Sequence, residues 1–271
     1  MQPLQAIITA KVALSLAILI YASWRDYQTR EVTNRAWAIY APAALALTLA
    51  ELCLYDVPKL LPYAVSFAAT TTIALLLFYT GAFGGADSKA LMCIALALPF
   101  YPEALLTPIV ASAVSPLAQN LFPLAIFSNS VLFAAASGIY MLIRNFAWRL
   151  RTGQQLFEGA LAAESLWKKF AVLITGHKFP IAKLQKTWHI YPMEDVEVEE
   201  AQLKRRLIIV PNDERRSQIV ERLAKAAETG KISGDVWATP GLPMLIFVTA
   251  GLIAALLVGD IIWLIINFAL S

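Results

Sequence analysis

Charge is scarce in this sequence. Of 271 residues only 15% are Asp, Glu, Lys or Arg, 59% are hydrophobic, and the mean hydropathy is +0.62. Soluble domains carry about 25% charged residues, so the deficit, with long apolar runs, excludes an ordinary soluble globule and predicts a multi-span membrane protein. Cysteine and histidine are scarcer still, at two each. Cys53 and Cys93 sit inside apolar segments without CxxC spacing, and read as small core residues rather than a disulfide or zinc pair. His177 and His189 read as ordinary domain residues, with no hydroxyl or thiol nucleophile evident beside them. We therefore expect no metal and no cofactor. A net charge of +3 is small and mixed, which gives no case for nucleic-acid binding. The charges after the first apolar run are not a small-residue cleavage site, so that run reads as a retained span.

A helix needs about 20 apolar residues to cross the hydrocarbon core. Five segments qualify: Pro3 to Tyr21, Ala36 to Tyr55, Leu60 to Tyr79, Phe122 to Ile143 and Pro243 to Phe268. A sixth starts at Ser88 but is interrupted by "PFYPE", Pro99 to Glu103. Either the helix kinks and continues through Ala104 to Leu117, or the two pieces form a re-entrant pair; one broken span is the favoured expectation. With six spans and an outside N-terminus, 20 of the 22 basic residues fall in Ala22 to Arg35, in the glycine-rich loop near Asp87, and in Arg144 to Pro240. Basic residues concentrate on the cytoplasmic side, so those segments are assigned there.

Arg144 to Pro240 is a different kind of sequence. "EGALAAESLWKKFAVLI" reads as an amphipathic helix and "RRLIIVP" as a short buried strand. "NDERRSQIVERLAKAAETG" reads as a helix with an Asn or Asp N-cap and a closing Gly230. The expected fold is an α-helical polytopic membrane protein of about six spans, with a small cytoplasmic α+β domain inserted before the last. Residues 1–143 hold helices one to five, 144–240 the soluble domain and 241–271 helix six.

In this topology Asp26 lies at the cytoplasmic end of span one, and Asp87 enters span four from the same face. Glu51, Asp56, Glu103 and Asp260 fall toward the opposite face, and Glu31 sits out in the loop. That leaves Asp26 and Asp87 as a pair of membrane-edge carboxylates, where ionisable groups are costly and tend to be functional. Two aspartates at about 4 Å repel by roughly 4 kcal/mol at an effective dielectric near 20, enough for the pair to hold one shared proton near neutral pH. An ionised carboxylate then activates water while the protonated one donates to a peptide carbonyl. Gly84 and Gly85 let backbone approach, and Ala86 keeps the approach narrow. Taken singly, each motif has a plainer account: "GGAD" as a loop with an aspartate N-cap, and Asp26 as a headgroup-zone partner of Arg25 or Arg30.

"DYQTREVTN", Asp26 to Asn34, resembles the stretch that follows the first catalytic aspartate in type IV prepilin and preflagellin peptidases. "GGADSK", Gly84 to Lys89, is similar to the second signature of that family, glycine-x-hydrophobic-aspartate, in its archaeal form; Ala86 stands where bacterial members usually have glycine. The resemblance covers the first 90 residues well. A charged domain before a last span opening "TPGLP" also looks like preflagellin peptidase. It implies a membrane aspartic endopeptidase acting through Asp26 and Asp87. Its substrates would be preflagellin (archaellin) or pilin-like precursors with short, basic class III signal peptides, cut at the cytoplasmic face of the bilayer. Many bacterial members also N-methylate their product and carry a CxxC-rich zinc loop; this chain has no such cysteines, so neither activity nor zinc is expected.

Thr29 and Asn34 are expected to order the loop after Asp26, with Asn34 capping span two. Pro240 and Gly241, within "TPGLP", either line the site or merely start a membrane helix. The acidic run "MEDVEVEE", Met193 to Glu200, reads as a solvated face, with steering of a basic leader as the alternative. Lys89 reads as snorkelling to headgroups, or as tuning the pair if it turns inward. The competing functions are a presenilin-like protease, which would place its pair deeper, and a proton-coupled transporter, which would mark a path across the bilayer.

Overall fold

The structure, a computed structural model, describes residues 3–110, 114–199, 202–209 and 213–270. In chain order its helices are α1 (Pro3–Thr29), α2 (Asn34–Tyr55), α3 (Leu60–Tyr79), α4 (Gly85–Ala97), α5 (Pro116–Asn120), α6 (Phe122–Thr152), α7 (Leu166–Thr175), α8 (Ile181–Leu184), α9 (Asp213–Glu228), α10 (Met244–Leu257) and α11 (Ile261–Leu270). The strands are β1 (His177–Pro180), β2 (Tyr191–Pro192), β3 (Glu194–Glu199), β4 (Gln202–Leu207) and β5 (Asp235–Thr239). The chain divides into two compact units, Met1–Ala134 with Pro243–Ser271, and Ala135–Leu242.

The first unit is a helical bundle. Among the described residues four helices, Pro3–Thr29, Asn34–Tyr55, Val57–Tyr79 and Phe122–Thr152, are long and apolar enough to cross a membrane. The pair α10 and α11, bent by 60°, makes a fifth candidate over the segment expected as the last span, with a bend the sequence did not announce. Backbone groups freed there are taken up by Asn129 on α6, whose Nδ2 donates to the Gly259 carbonyl at 2.9 Å while its Oδ1 accepts from the Ile261 amide at 3.0 Å. Helix α4 packs among α1, α2, α3 and α10, and its inward residues Ala90, Ile94 and Ala97 are fully buried.

The expected broken span from Ser88 to Leu117 takes another form. Helix α4 has 13 residues, about 20 Å at 1.5 Å per residue, and among the described residues no helix resumes before Pro116. Residues 98–110 instead run as irregular backbone held by the helices around them. Ser66 Oγ donates to the Pro99 carbonyl, Tyr101 Oη to Leu256 and the Ile109 amide to Leu257. Irregular backbone at membrane depth is tolerated where protein satisfies it, and Pro99 and Pro102 supply the reason the helix stops. Ala111–Ala113, inside the expected span, lie outside the described residues.

In the second unit β1, β5 and β2 form an antiparallel sheet in that spatial order, and β3 pairs with β4 as a hairpin from Glu194↔Leu207 to Glu199↔Gln202. Helix α9 packs Ile219, Val220 and Leu223 onto Ile181, Leu184, Val196 and Val236, and its C-terminal turn closes on Gly230 at φ +70°, as a left-handed cap requires. Of the two N-caps expected for it, Asn212 lies outside the described residues and Asp213 is the first residue of the helix. A second cluster surrounds Trp237, whose Nε1 donates to the Leu156 carbonyl at 3.0 Å.

The single amphipathic helix expected over Glu158 to Ile174 is divided into a 3-10 turn, Gly159–Ala163, and α7. Glu164, at the division, accepts the Leu207 amide at 2.9 Å, which fixes the break. Cys93 is buried as expected, but Cys53 faces outward from α2.

Candidate active site

One end of the bundle gathers the C-terminus of α1, the N-terminus of α2, and the N-termini of α4 and α10. Three contacts define it. Thr29 Oγ1 donates to the carbonyls of Arg25 and Glu31 at 3.0 and 3.1 Å and closes α1. Lys89 Nζ on α4 donates to Asn34 Oδ1 on α2 at 2.7 Å. Ser23 Oγ donates to the Leu245 carbonyl at 2.8 Å, bringing α10 against α1. Asn34 is thus the first residue of α2 and not its cap; Thr33 takes the cap position without a side-chain bond. The Lys89 ammonium thus ties the start of α4 to the start of α2.

Asp26 lies in the last turn of α1 and Asp87 in the first turn of α4, both half-buried. The two carboxylates stand within Coulombic reach of each other, and the Arg30 guanidinium acts on both. Asp87 Oδ2 also accepts the Gly84 amide at 3.1 Å, so the anion sits where the helix dipole favours it. Asp87 thus satisfies the helix start, as the plainer reading of "GGAD" expects, and does so within Coulombic reach of Asp26.

Arg30 is what sequence reasoning undervalued. It is the one non-glycine residue at positive φ among those described, at +55°, and its amide donates to the Asp26 carbonyl at 3.0 Å. That left-handed position ends α1 where a glycine or asparagine is usual, and it holds a cation beside two acids. A charged residue gives no sequence signal for such a turn.

Gly84 and Gly85 differ in role. A β-carbon on Gly84 would lie 3.1 Å from Asp87 Oδ2, whereas one on Gly85 would meet only the Phe78 ring edge at 3.7 Å. Ala86 packs against the bundle core. Pro240 and Gly241 belong to the second unit, where they follow β5; Gly241 has φ +69° and its amide donates to Thr239 Oγ1 at 3.2 Å. Pro243 occupies the N-cap of α10.

The other carboxylates are used elsewhere. Glu51 forms an ion pair with buried Lys11, Asp56 pairs with Lys59 at 2.8 Å, and Asp260 accepts from Ser115 Oγ at 2.8 Å. Lys11, Glu51, Asp56 and Glu103 line a cavity of about 580 Å³ at the opposite end of α1 and α2. The first two acids of the run Met193 to Glu200 depart from the solvated face expected of it. Glu194 and Asp195 are buried, the first bonded to Arg205 at 2.7 Å and the second doubly to Arg222 at 2.7 and 2.9 Å. Glu200 lies outside the described residues.

A helical bundle with four or five candidate spans, and a small α+β unit inserted before its last helices, is the architecture of a polytopic membrane protein. Residues 13–143 match the type IV leader peptidase family, and residues 168–261 match the archaeal peptidase A24 C-terminus, type II. Between them these matches take in most of the chain, which belongs to the type IV leader peptidase family and is a protease. A preflagellin peptidase of Methanococcus voltae is 26% identical over 255 residues, covering 92% of this chain and 94% of its own. A preflagellin peptidase of Methanococcus maripaludis (strain C6 / ATCC BAA-1332) is 24% identical over 250 residues, covering 89% and 92%.

Proposed function

We propose that Asp26 and Asp87 are the catalytic pair of a membrane aspartic endopeptidase that cuts the short, basic class III signal peptide from preflagellin or type IV pilin-like precursors. The observation that carries this reading is that these two carboxylates, from distant parts of the chain, lie at the same end of the bundle within Coulombic reach of each other. The relatives named preflagellin peptidase supply the substrate class.

The pair shares one proton. The ionised carboxylate takes a proton from a water molecule as its oxygen attacks the scissile carbonyl, and the protonated carboxylate donates to the carbonyl oxygen. Collapse of the tetrahedral adduct returns a proton to the leaving nitrogen, and the dyad is regenerated. Gly84, Gly85 and Ala86 leave an approach for an extended substrate strand beside Asp87. Arg30 limits the repulsion between the two acids without removing it. The distribution of Lys and Arg supports a cytoplasmic site at the edge of the lipid bilayer. A pair in terminal helical turns favours this reading over a presenilin-like cut deep in the bilayer, and the family match favours it over a transporter.

Purified full-length protein in detergent, mixed with an archaellin precursor, should release the leader on a gel. Asp26→Asn and Asp87→Asn should each slow release by at least about 100-fold, the scale of general acid or base catalysis. Glu31→Gln, in the exposed loop, should retain wild-type rate. Release at comparable rate by either aspartate variant would refute the assignment; intact precursor with the wild type would refute the substrate class.

A further inference from the structure

Helix α7, LWKKFAVLIT, is apolar on two faces. Residues on a helix are about 100° apart, so Leu166, Phe170 and Leu173 stack on one strip with Trp167 beside it, while Val172 points away. Val172 is fully buried among Leu161, Met193 and Trp237. Leu173 is half-buried against that same cluster, but the rest of the strip is not covered: Leu166 is 83% exposed, Trp167 64% and Phe170 58%. An ordinary surface helix of a small soluble unit leaves its second face polar, and exposed patches of large side chains mark interaction sites.

This strip forms one wall of a groove of about 410 Å³, whose other wall is Phe146 and Arg149 of α6, closed by Leu156 and Phe157. Its lining is apolar but for basic side chains and Gln155. Lys169 lines the groove and donates to the Ala162 carbonyl with its ammonium near the Phe157 ring. The neighbouring Lys168 is held by Glu164 at 3.0 Å. Along α6 the apolar run ends at Ile143 and Phe146 follows one turn later, so the groove begins where that helix leaves the apolar run. Leu150, a turn further on, is 85% exposed.

We infer that this face rests on the membrane leaflet from which α6 emerges, with Leu166, Trp167 and Phe170 in the interfacial zone and Arg149 and Lys169 meeting anionic phospholipid headgroups. Three features commit the occupant to lipid. Tryptophan and phenylalanine flanked by lysine are the side chains that partition into the headgroup–acyl boundary. The cations at the groove complement an anionic surface and repel a basic peptide. And the groove is continuous, along one unbroken helix, with a segment long and apolar enough to span the bilayer. This inference does not depend on which residues are catalytic.

The test uses full-length protein in vesicles of phosphatidylcholine with about a quarter phosphatidylglycerol, an anionic surface, prepared with and without bromine on the acyl chains. The emission belonging to Trp167 is the difference between wild type and Trp167→Phe, a substitution at an exposed site that keeps the apolar surface. Bromine should quench that difference signal, and aqueous acrylamide should not. Arg149→Glu with Lys169→Glu should move the docked-to-free ratio at least about tenfold toward free, and high salt should act in the same direction. A Trp167 signal quenched by acrylamide and indifferent to bromine would overturn the inference. So would equal bromine quenching in purely zwitterionic vesicles, or protection from both quenchers, which would mean that protein covers the face. Preserved leader cleavage in the double variant would show that loss of docking is not loss of fold.

Discussion

Asp87 Oδ2 stands 3.1 Å from where a β-carbon on Gly84 would lie, and the same oxygen holds the Gly84 amide at 3.1 Å. The constraint on this position therefore comes from the carboxylate and not from its own backbone angles, which are extended (φ −71°, ψ 162°). Gly84→Ala should push the Asp87 carboxylate away from its amide partner and lower the cleavage rate about tenfold or more. Gly85→Ala, with only an ordinary contact to Phe78, should leave the rate within about twofold. A kcat comparison of the two variants checks this, and equal effects would contradict it. Asp26 and Asp87 were legible in the sequence because carboxylates at helix ends in an apolar chain are few and topology sorts them by face. The partner of Asn34 was not, since a lysine one turn into α4 reaches across to another helix only once the bundle packs.

Lys11 and Glu51 show the same limit on the scale of elements. Lys11 is 4% exposed, and the ion pair ties α1 to α2 at the end remote from Asp26 and Asp87. Breaking such a pair strands a buried charge, at a cost of about 3–5 kcal/mol, while replacing both partners by apolar residues is often neutral. Lys11→Met alone should therefore destabilise the bundle strongly, and Lys11→Met with Glu51→Leu should recover most of the loss. Unfolding in a mixed-detergent titration measures both, and a double variant no better than the single would contradict the pairing. Hydropathy placed the long helices well because their apolar runs match the bilayer. It misplaced the chain after α4 because local pattern does not show that Tyr101, Ile109 and Ser66 would satisfy irregular backbone. The bend between α10 and α11 escaped for the same reason: Asn129, which supports it, lies on another helix.

On the scale of the whole molecule, acid should act on the second unit through His177. This side chain is 9% exposed, and burial, with Arg144 nearby, lowers its pKa from 6.5 to about 4. The unfolded chain thus binds the proton more readily, so stability is greatest above about pH 6.5 and falls as pH drops toward 4, by up to about 3 kcal/mol. Denaturant unfolding of the full-length protein followed through buried Trp237 should show this slope, and His177→Gln should flatten it; an unchanged slope would contradict the assignment. The α+β character of this unit was legible from its mixed charges and turn residues. The role of its acidic run was not, because pairing of Glu194 with Arg205 and of Asp195 with Arg222 depends on how strands and helix assemble.

The central claim is that Asp26 and Asp87 work as one unit, and the rate of leader removal by Asp26→Asn, Asp87→Asn and the double variant tests it most directly. Residues that act together are non-additive. The account predicts a double variant no slower than the slower single variant, with both singles near the same residual rate. A double variant slowed by the product of the two single effects would mean independent roles, and would contradict the shared-proton mechanism.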